Sequence, residues 1–425
     1  DQEGRPDTPQ WMHEMPMWAL MSGGPESVVE PCIKLREYLG LPLAVHWYNW
    51  HQIPFDNDYP HYFPVKEGFA EAVKRLQDNG VRVMPYINGR LWDTDIEDFQ
   101  TLAFPAACKD EKGEPYIEVY GSGEKLAAMC PTTKLWQETV QEIVLRLVGP
   151  EYNVDGVYID QIGAASARLC FDRSHGHPLG GGSWWLTEGY WPMLDAIHAQ
   201  LPADKMITTE CNAETYCRWM DGYLGWHFQE QDQIPLFAAV YGGEVQTFSR
   251  AYHGKDGLAH RMKAAQSFVF GEQLGWLSAN TILADMDVLA PYFRRLCRLR
   301  YALLPYMADG EMARPPALQG DIPRVTADWA WRDKWEITDD ALQRGAWRSR
   351  DGNLALVFAN VLDRPLTVTL KFDGAVYDFP EDAQLSLTSR TEDGSADTVE
   401  KACTFDMEIT LPAYGAIAYE IVPRG

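Results

Sequence analysis

Basic residues are scarce in this chain relative to acidic ones. Its 425 residues hold 37 Lys and Arg against 61 Asp and Glu, and the formal net charge is −24 at pH 7. Nucleic acids and anionic membranes bind basic surfaces, so this balance argues against either partner. The sequence also lacks any run of about 18 uncharged apolar residues, the length that a membrane-spanning helix requires. We therefore expect a globular protein whose ligand is neutral or cationic.

Local cysteine pairs are missing as well. The eight cysteines form no CxxC pair, and none shows the His and Cys spacing of a zinc site. We expect free thiols, which favour a reducing compartment such as the cytoplasm, and we expect neither a metal nor an organic cofactor. No signal-peptide pattern opens the sequence. Since residue 1 is Asp and not Met, the compartment stays open beyond that preference.

The chain is long and rich in aromatic residues. A length of 425 residues suits one barrel of about 250 to 300 residues and a smaller module of about 100. The 16 Trp and 20 Tyr can fill a core or stack on ligand rings, and composition alone favours the core.

Short apolar or β-branched runs alternate with longer amphipathic segments from about residue 15 to 307, which is typical of parallel βα architecture. The runs predict strands at 16–22, 42–49, 81–88, 155–162, 206–211, 222–228, 236–241 and 274–279. The amphipathic segments predict helices at 27–39, 67–79, 132–148, 185–200 and 287–307. The fold class is therefore predicted to be α/β, with a (β/α)8 TIM barrel in residues 1–310.

The pattern changes after the barrel. From about residue 320, short alternating runs such as NLALVFAN and LTVTLKF are separated by Asp, Gly and Pro. This pattern predicts a C-terminal antiparallel β-sandwich in residues 311–425. We expect the sandwich to buttress the barrel.

Most predicted strands end in polar and aromatic residues. In a parallel barrel these carboxyl ends meet on one face, where the βα loops build the active site. Aromatic faces and amides suit a pocket for a polyhydroxylated ligand such as an oligosaccharide or glycoside. The candidate binding residues at strand ends or on adjacent loops are Trp47, Asn49, Tyr86, Asn88, Trp92, Gln161, Trp185, Trp226 and Tyr241.

The run DGVYIDQIG is a buried strand that stops on a carboxylate, Asp160. In glycoside cleavage a fixed carboxylate can stabilise the anomeric charge or bond to the anomeric carbon. Asp160 suits that role; the alternative is a helix cap or a partner for Arg168. A second carboxyl must protonate the leaving oxygen. Glu210, at the end of the next strand, is the candidate, with a structural buried acid as the alternative.

Carboxyls on adjacent strands can lie about 5 to 5.5 Å apart, the separation that accompanies double displacement and retention. Glu230 and Asp232 follow the sixth strand and are rival proton donors; a wider gap to either would give inversion. Two further hypotheses stay open, namely a carbohydrate-binding barrel without turnover and a metal-dependent lyase or isomerase.

The loop after Asp160 contains His175-Gly-His177. Two histidines separated by one residue can bind a metal, but no third ligand is nearby in the sequence. We therefore expect His175 and His177 to bind sugar hydroxyls or to serve a structural loop.

The run DGVYIDQIG, the following Cys-Phe-Asp…His-Gly-His-Pro loop and ITTECNAE together resemble an uncharacterised family of barrel proteins similar to glycosidases. That family is distantly similar to the endo-α-N-acetylgalactosaminidases and, more remotely, to the α-amylase and α-galactosidase barrels. The resemblance covers about residues 15–310. It implies a retaining α-glycosidase, with the nucleophile at the place of Asp160 and the acid/base at that of Glu210. Many members carry a large β-sandwich before the barrel, and this sequence shows none.

Overall fold

A computed structural model describes residues 5–226, 230–252, 256–330, 333–394 and 397–424. In these parts of the chain, eight strands form the barrel sheet, in which each strand lies beside the one before it in sequence and the eighth lies beside the first. A parallel bridge from Phe248 to Gln273 joins the two edge strands, so the sheet nearly closes. The strands are β1 (Met17–Ser22), β2 (Leu43–Tyr48), β3 (Val81–Asn88), β4 (Gly156–Asp160), β5 (Met206–Glu210), β6 (Gly222–Leu224), β7 (Gln246–Phe248) and β8 (Leu274–Leu277).

The structure confirms the predicted (β/α)8 barrel and gives β3 its predicted bounds. The predicted strand at 236–241 is wrong, because these residues form a helix and the seventh strand follows at Gln246–Phe248. A six-residue apolar run cannot distinguish helix from strand by periodicity. The predicted sixth strand ends at residue 224, and its positions 227 and 228 lie outside the described residues.

Helices alternate with the strands. The five predicted helical segments are present, and the one at 185–200 opens with a π-helical turn at Trp185–Tyr190. None of the described helices combines the length and the apolar character needed to cross a membrane. The helices are α1 (Gln10–Glu14), α2 (Pro25–Leu39), α3 (Phe69–Asp78), α4 (Lys134–Val148), α5 (Trp191–His198), α6 (Leu236–Tyr241), α7 (Gly257–Val269), α8 (Ala279–Ala284), α9 (Leu289–Ala302) and α10 (Leu304–Met307).

The chain divides into two compact units. The first comprises Asp1–Pro9, Leu20–Ile33 and Ala44–Tyr223, and it includes β3, β4 and β5. The long loop after β3 belongs to this unit and folds into a small antiparallel sheet of three strands, Leu91–Asp93, Lys125–Ala128 and Ile117–Val119.

Two aspartates fasten the amino-terminal ends of the strands in the first unit. Asp155, just before β4, accepts a hydrogen bond from the backbone N–H of Val83 on β3 at 2.9 Å. Asp221, just before β6, accepts one from the backbone N–H of Ile207 on β5 at 2.9 Å. Both carboxylates are buried. Each holds its strand in register with the preceding strand.

The second unit comprises Gln10–Ala19, Lys34–Leu43 and Leu224–Gly425. It contains the predicted C-terminal antiparallel sheets. α7 packs against three of their strands, and the indole N–H of Trp347 donates to the carbonyl of Val269 at the end of α7, at 3.0 Å. Ten of the thirteen residues of α7 are buried, so α7 has no polar face, which is why periodicity did not predict it.

The C-terminal strands form three sheets. The six-stranded sheet contains, in order, Glu311–Ala313, Leu342–Arg348, Leu354–Asn360, Ala416–Arg424, Gln384–Arg390 and Thr398–Ala402. The three-stranded sheet contains Ala317–Gln319, Leu366–Asp373 and Thr404–Leu411, and a hairpin pairs Arg324–Asp328 with Glu336–Asp340. Alternate residues of Leu366–Asp373 are buried, as expected for a strand with one face toward a core.

Candidate active site

Three polar residues form one row at the carboxyl ends of neighbouring strands. Asn88 of β3 is in register with Asp160 of β4. Tyr158 is in register with Thr208 of β5, and both strands end two residues further on, at Asp160 and Glu210. Side chains two apart on a strand share a face, and adjacent strands lie about 4.8 Å apart. The structure therefore places the two predicted catalytic carboxylates at the carboxyl ends of adjacent strands.

Two buried phenols hold the Asp160 carboxylate. Tyr86 donates to Oδ2 at 2.9 Å, and Tyr158 donates to Oδ1 at 3.0 Å. Burial raises the pKa of Asp160 to about 6, although the two phenol hydrogen bonds favour the ionised form. Burial and the charge of Asp160 raise the pKa of Tyr86 well above 10. The phenols therefore stay protonated and remain hydrogen-bond donors at neutral pH.

Glu210 shares its electrostatic surroundings with Asp160. Besides burial, the charges of both carboxylates raise the pKa of Tyr48 and of Tyr158. Tyr48 stacks on Tyr86 with ring centroids 4.6 Å apart. Both acids therefore face one wall of tyrosines, in which Tyr48 was not among the predicted binding residues.

A third acid, Asp56, was missed by the sequence analysis. It is buried in the loop after β2, and burial raises its pKa to about 6. Its charge is one of the causes that raise the pKa of Asp160. Asp56 does not directly follow a strand, so the pattern of polar residues at strand ends did not include it.

Several amides around this row are buried but have no hydrogen-bond partner among the described residues. They are the Nδ2 of Asn88, the Oε1 of Gln161 and the Oδ1 of Asn212. Buried polar atoms of this kind are uncommon and are satisfied by a ligand or by water. Gln161 and Asn212 also adopt left-handed backbone conformations, with φ of 69° and 38°, and such strain in non-glycine residues is concentrated at functional sites.

The structure gives the other predicted aromatic residues of the first unit different settings. Trp47 is fully buried, packs against Phe69 at 5.0 Å and donates to the carbonyl of Gly23 at 2.8 Å. The expectation that Trp47 stacks on a sugar is therefore wrong, because both its ring and its N–H are used in the core. Trp92 is also buried, and its ring lies 6.2 Å from that of Trp136.

Trp185 is buried, whereas Asn49 is half-buried. The guanidinium of Arg90 lies over the Trp185 ring at 5.7 Å from its centroid. Asn49, with φ of 54°, donates from Nδ2 to the hydroxyl of Ser22 at 2.8 Å. Trp185 therefore has one face occupied by a cation, and Asn49 has its amide engaged at the end of β2.

The remaining predicted residues belong to the second unit. Trp226 follows β6, whereas Tyr241 lies on α6 and not at a strand end, which corrects its predicted placement. The ring of Tyr241 contacts that of Phe237 at 4.8 Å. The rival acids are exposed, and Asp232 pairs with Arg324 at 2.5 Å. Their side chains are therefore not enclosed, whereas an active site commonly tunes the acidity of its catalytic carboxyl by burying it.

His175 and His177 do have further potential ligands nearby, so the premise that none is near was wrong. Their ring nitrogens lie with the sulfurs of Cys130 and Cys170 in a cluster whose ligand atoms are all within 4.8 Å of one another. Cys170 lies only five residues before His175, so the local spacing of Cys170, His175 and His177 was a signal in the sequence that was missed. Cys130 lies 40 or more positions away, and only the fold brings it to the cluster.

Comparison with known proteins gives a consistent picture. A relative from Bacteroides thetaiotaomicron, named "Putative glycoside hydrolase", is 30% identical over 370 residues, which cover 85% of this chain and 54% of the relative. The chain thus spans about half the length of that relative.

Two solved structures share the fold. The α-amylase of Geobacillus thermoleovorans has a TM-score of 0.60 at 10% identity and covers 97% of this chain and 99% of its own. The α-N-acetylgalactosaminidase NagBb of Bifidobacterium bifidum has a TM-score of 0.60 at 13% identity and covers 84% of this chain and 58% of its own. At this identity both show the fold alone. Residues 2–252 match the family described as a domain of unknown function, DUF6259, and the chain belongs to that family.

Proposed function

We propose that this protein is a glycoside hydrolase that cleaves an α-glycosidic bond with retention of configuration. Asp160 is the nucleophile and Glu210 is the general acid and base. The observation that carries the proposal is the position of Asp160 and Glu210 at the carboxyl ends of two paired barrel strands, with Asp160 held by two phenols. The name of the Bacteroides relative supports the reaction class.

The geometry suits double displacement. Carboxylates at neighbouring register positions are separated by roughly the interstrand spacing of about 4.8 Å, close to the separation of about 5 to 5.5 Å in retaining enzymes. In the first step Asp160 attacks the anomeric carbon while Glu210 protonates the departing oxygen. In the second step Glu210 takes a proton from water, and that water displaces Asp160 from the anomeric carbon.

The protonation states are compatible with these roles. Asp160, with a pKa of about 6, is mostly ionised at neutral pH and is therefore a competent nucleophile. Tyr86 and Tyr158 orient its two oxygens. They also disperse its charge, and this favours departure of the carboxylate in the second step.

The substrate class follows from the surrounding groups. The unpartnered amide atoms of Asn88 and Gln161 can bind sugar hydroxyls. The Tyr48 and Tyr86 stack, extended by the partly exposed ring of Phe55 at 5.4 Å from Tyr86, offers an apolar surface for a sugar face. These features support a carbohydrate substrate bound at the carboxyl ends of the strands.

The test is hydrolysis of a panel of aryl α- and β-glycosides, with the anomer of the first-formed product followed by NMR. We expect cleavage of an α-glycoside with retention, and a fall in kcat of at least about 10³-fold in Asp160→Asn. Glu210→Ala should lose about 10²- to 10⁴-fold on substrates with poor leaving groups and much less on activated ones, because only the former need a proton.

The exposed acids give matched controls. Glu230→Gln and Asp232→Asn should retain wild-type activity. If the product is inverted and either control variant loses activity, the general acid would be that residue and not Glu210. Saturable sugar binding without cleavage of any substrate would overturn the enzymatic proposal in favour of a binding protein.

A further inference from the structure

The cluster of Cys130, Cys170, His175 and His177 has the dimensions of a tetrahedral metal site. Its four potential ligand atoms all lie within 4.8 Å of one another, and three of the four residues are buried. Bond lengths of about 2.3 Å to sulfur and 2.0 to 2.1 Å to nitrogen give a tetrahedron with edges of about 3.3 to 3.8 Å. The Sγ of Cys170 and the Nδ1 of His175 are already 3.4 Å apart.

The histidines are oriented in the way that metal ligands are. The Nε2 of His175 lies 2.8 Å from the carbonyl of Pro105, and the Nδ1 of His177 lies 2.9 Å from the carbonyl of Pro178. A carbonyl can only accept, so each of these nitrogens carries the proton. The other nitrogen of each ring then presents a lone pair, as in metal sites whose histidines bond to backbone carbonyls.

His177 supplies an independent sign of a missing ligand. Its side chain is more than nine-tenths buried, and its Nε2 has no hydrogen-bond partner among the described residues. The ring is fixed by stacking on Trp184 at 3.7 Å, with the planes only 3° apart. A buried ring nitrogen with a lone pair and no donor is costly unless something binds it.

The ligands come from two long loops that the backbone already joins. Cys130 ends the loop after β3, and Cys170 and the histidines lie on the loop after β4. Phe171 donates from its backbone N–H to the carbonyl of Lys109 at 2.8 Å. A metal at this point would add a further cross-link between the two loops.

We propose that Cys130 Sγ, Cys170 Sγ, His175 Nδ1 and His177 Nε2 bind a structural Zn²⁺ ion. Two thiolates and two neutral imidazoles give a site with no net charge, which is compatible with burial. All four positions are filled by protein, so none is left for substrate. The buried thiol of Cys108 interacts with Cys130 and Cys170 but lies outside the cluster of four, so we assign it as a neighbour of the site.

The ion would fix a network that borders the proposed active site. Arg90 and Arg168 both donate to Oε1 of Glu118, at 2.9 and 2.6 Å, and Arg168 lies two residues before Cys170. Tyr120 donates to Oε2 of the same carboxylate at 2.6 Å. Anchoring Cys170 therefore anchors one of the two guanidinium groups that hold the loop after β3 in place.

The test is the metal content of untagged full-length protein, measured by inductively coupled plasma mass spectrometry. We expect about one zinc per chain. After removal of zinc with a chelator, added Co²⁺ should give the intense visible bands of a tetrahedral ion and a thiolate-to-cobalt charge-transfer band. Absence of both zinc and these bands in folded wild-type protein would overturn the proposal, as would a disulfide joining Cys130 and Cys170 in the purified protein.

Single substitutions test the ligand set. Cys170→Ala and His177→Ala should lose at least tenfold in zinc affinity. Cys32→Ala removes a buried thiol in α2, far along the chain from the cluster, and should retain one zinc. Cys108→Ala should also retain zinc; a loss equal to that in Cys170→Ala would overturn the assignment of two cysteine and two histidine ligands.

Discussion

The fourth barrel strand has an aspartate at each end, and the two are used in opposite ways. Asp155, at the amino end, has a bond for every oxygen: the backbone N–H of Val83 and the amide of Gln77 donate to Oδ2, and Arg82 donates to Oδ1 at 2.7 Å. Asp160, at the carboxyl end, is held by two neutral phenols and has no ion pair among the described residues, and burial raises its pKa to about 6.

This difference separates stability from chemistry within one strand. The carboxylate at the amino end is stabilised by the fold and in turn stabilises it. The carboxylate at the other end carries its charge against the effect of burial, as the proposed nucleophile requires. The carboxylate at the amino end thus stabilises the fold, and the one at the carboxyl end is destabilised by burial. This is consistent with TIM barrels, in which the amino-terminal face serves stability and the carboxyl-terminal face holds the active site.

The largest expected effect on the free energy of unfolding comes from removing the Asp155 carboxylate. We expect Asp155→Ala to lower the free energy of unfolding by about 3 kcal/mol, because it leaves the buried N–H of Val83 and the Gln77 amide without an acceptor. Urea unfolding at pH 7 measures this. Asp204→Ala, at an exposed carboxyl near β5, should change stability by less than about 0.5 kcal/mol. Equal effects of the two variants would contradict a structural role for Asp155.

At the carboxyl end of β4, a substitution of Asp160 should have a smaller effect of opposite sign on the free energy of unfolding. Asp160→Asn should raise the free energy of unfolding by about 1 to 2 kcal/mol at pH 7.5, because it removes a charge that burial disfavours. A raised pKa means that the native state prefers the protonated acid, so the contribution of Asp160 to stability is fully present below about pH 3.8 and is lost as the pH rises through about 6. The gain in the variant should therefore vanish near pH 4.

Thermal unfolding of wild type and Asp160→Asn across that pH range tests the sign. A variant that is less stable than wild type at pH 7.5 would show that the Tyr86 and Tyr158 hydrogen bonds outweigh the desolvation of Asp160.

The smallest effect concerns one phenol. Tyr158→Phe removes a hydrogen bond that favours ionised Asp160, so the pKa of Asp160 should rise by up to about one unit. Because the nucleophile must be ionised, the acid limb of the kcat/KM profile should move to higher pH. Tyr152→Phe, which alters a tyrosine before β4, should leave the limb in place. If the acid limb shifts equally in both variants, the hydrogen bond from Tyr158 does not set the pKa of Asp160.

The sequence predicted the barrel well because strands and strand ends are local features. The bounds of β3 were correct, and the pairing of β3, β4 and β5 places Asn88, Asp160 and Glu210 at three neighbouring strand ends. A carboxylate that interrupts a buried apolar run is visible in any single sequence. Parallel pairing then dictates which such residues become neighbours.

What the sequence could not show depends on tertiary surroundings. The run at Leu236–Tyr241 reads as a strand by residue type, yet it folds as α6, which packs against Glu311–Ala313. Trp47 could face either way at a strand end, and packing against Phe69 decided in favour of the core. The Cys and His cluster depends on loops whose paths no local pattern specifies.

The burial of α7 on nearly all sides has a consequence for how the second unit melts. Its polar side chains are enclosed; the Nζ of Lys263, for example, donates to the carbonyls of Ala251 and Trp329 at 2.7 and 2.8 Å. Solvating one face of α7 would strip partners from these groups. We therefore expect α7 and the C-terminal sheets to unfold in a single cooperative transition. Thermal or denaturant unfolding should show one midpoint for both, although a barrel and a C-terminal module could have unfolded separately.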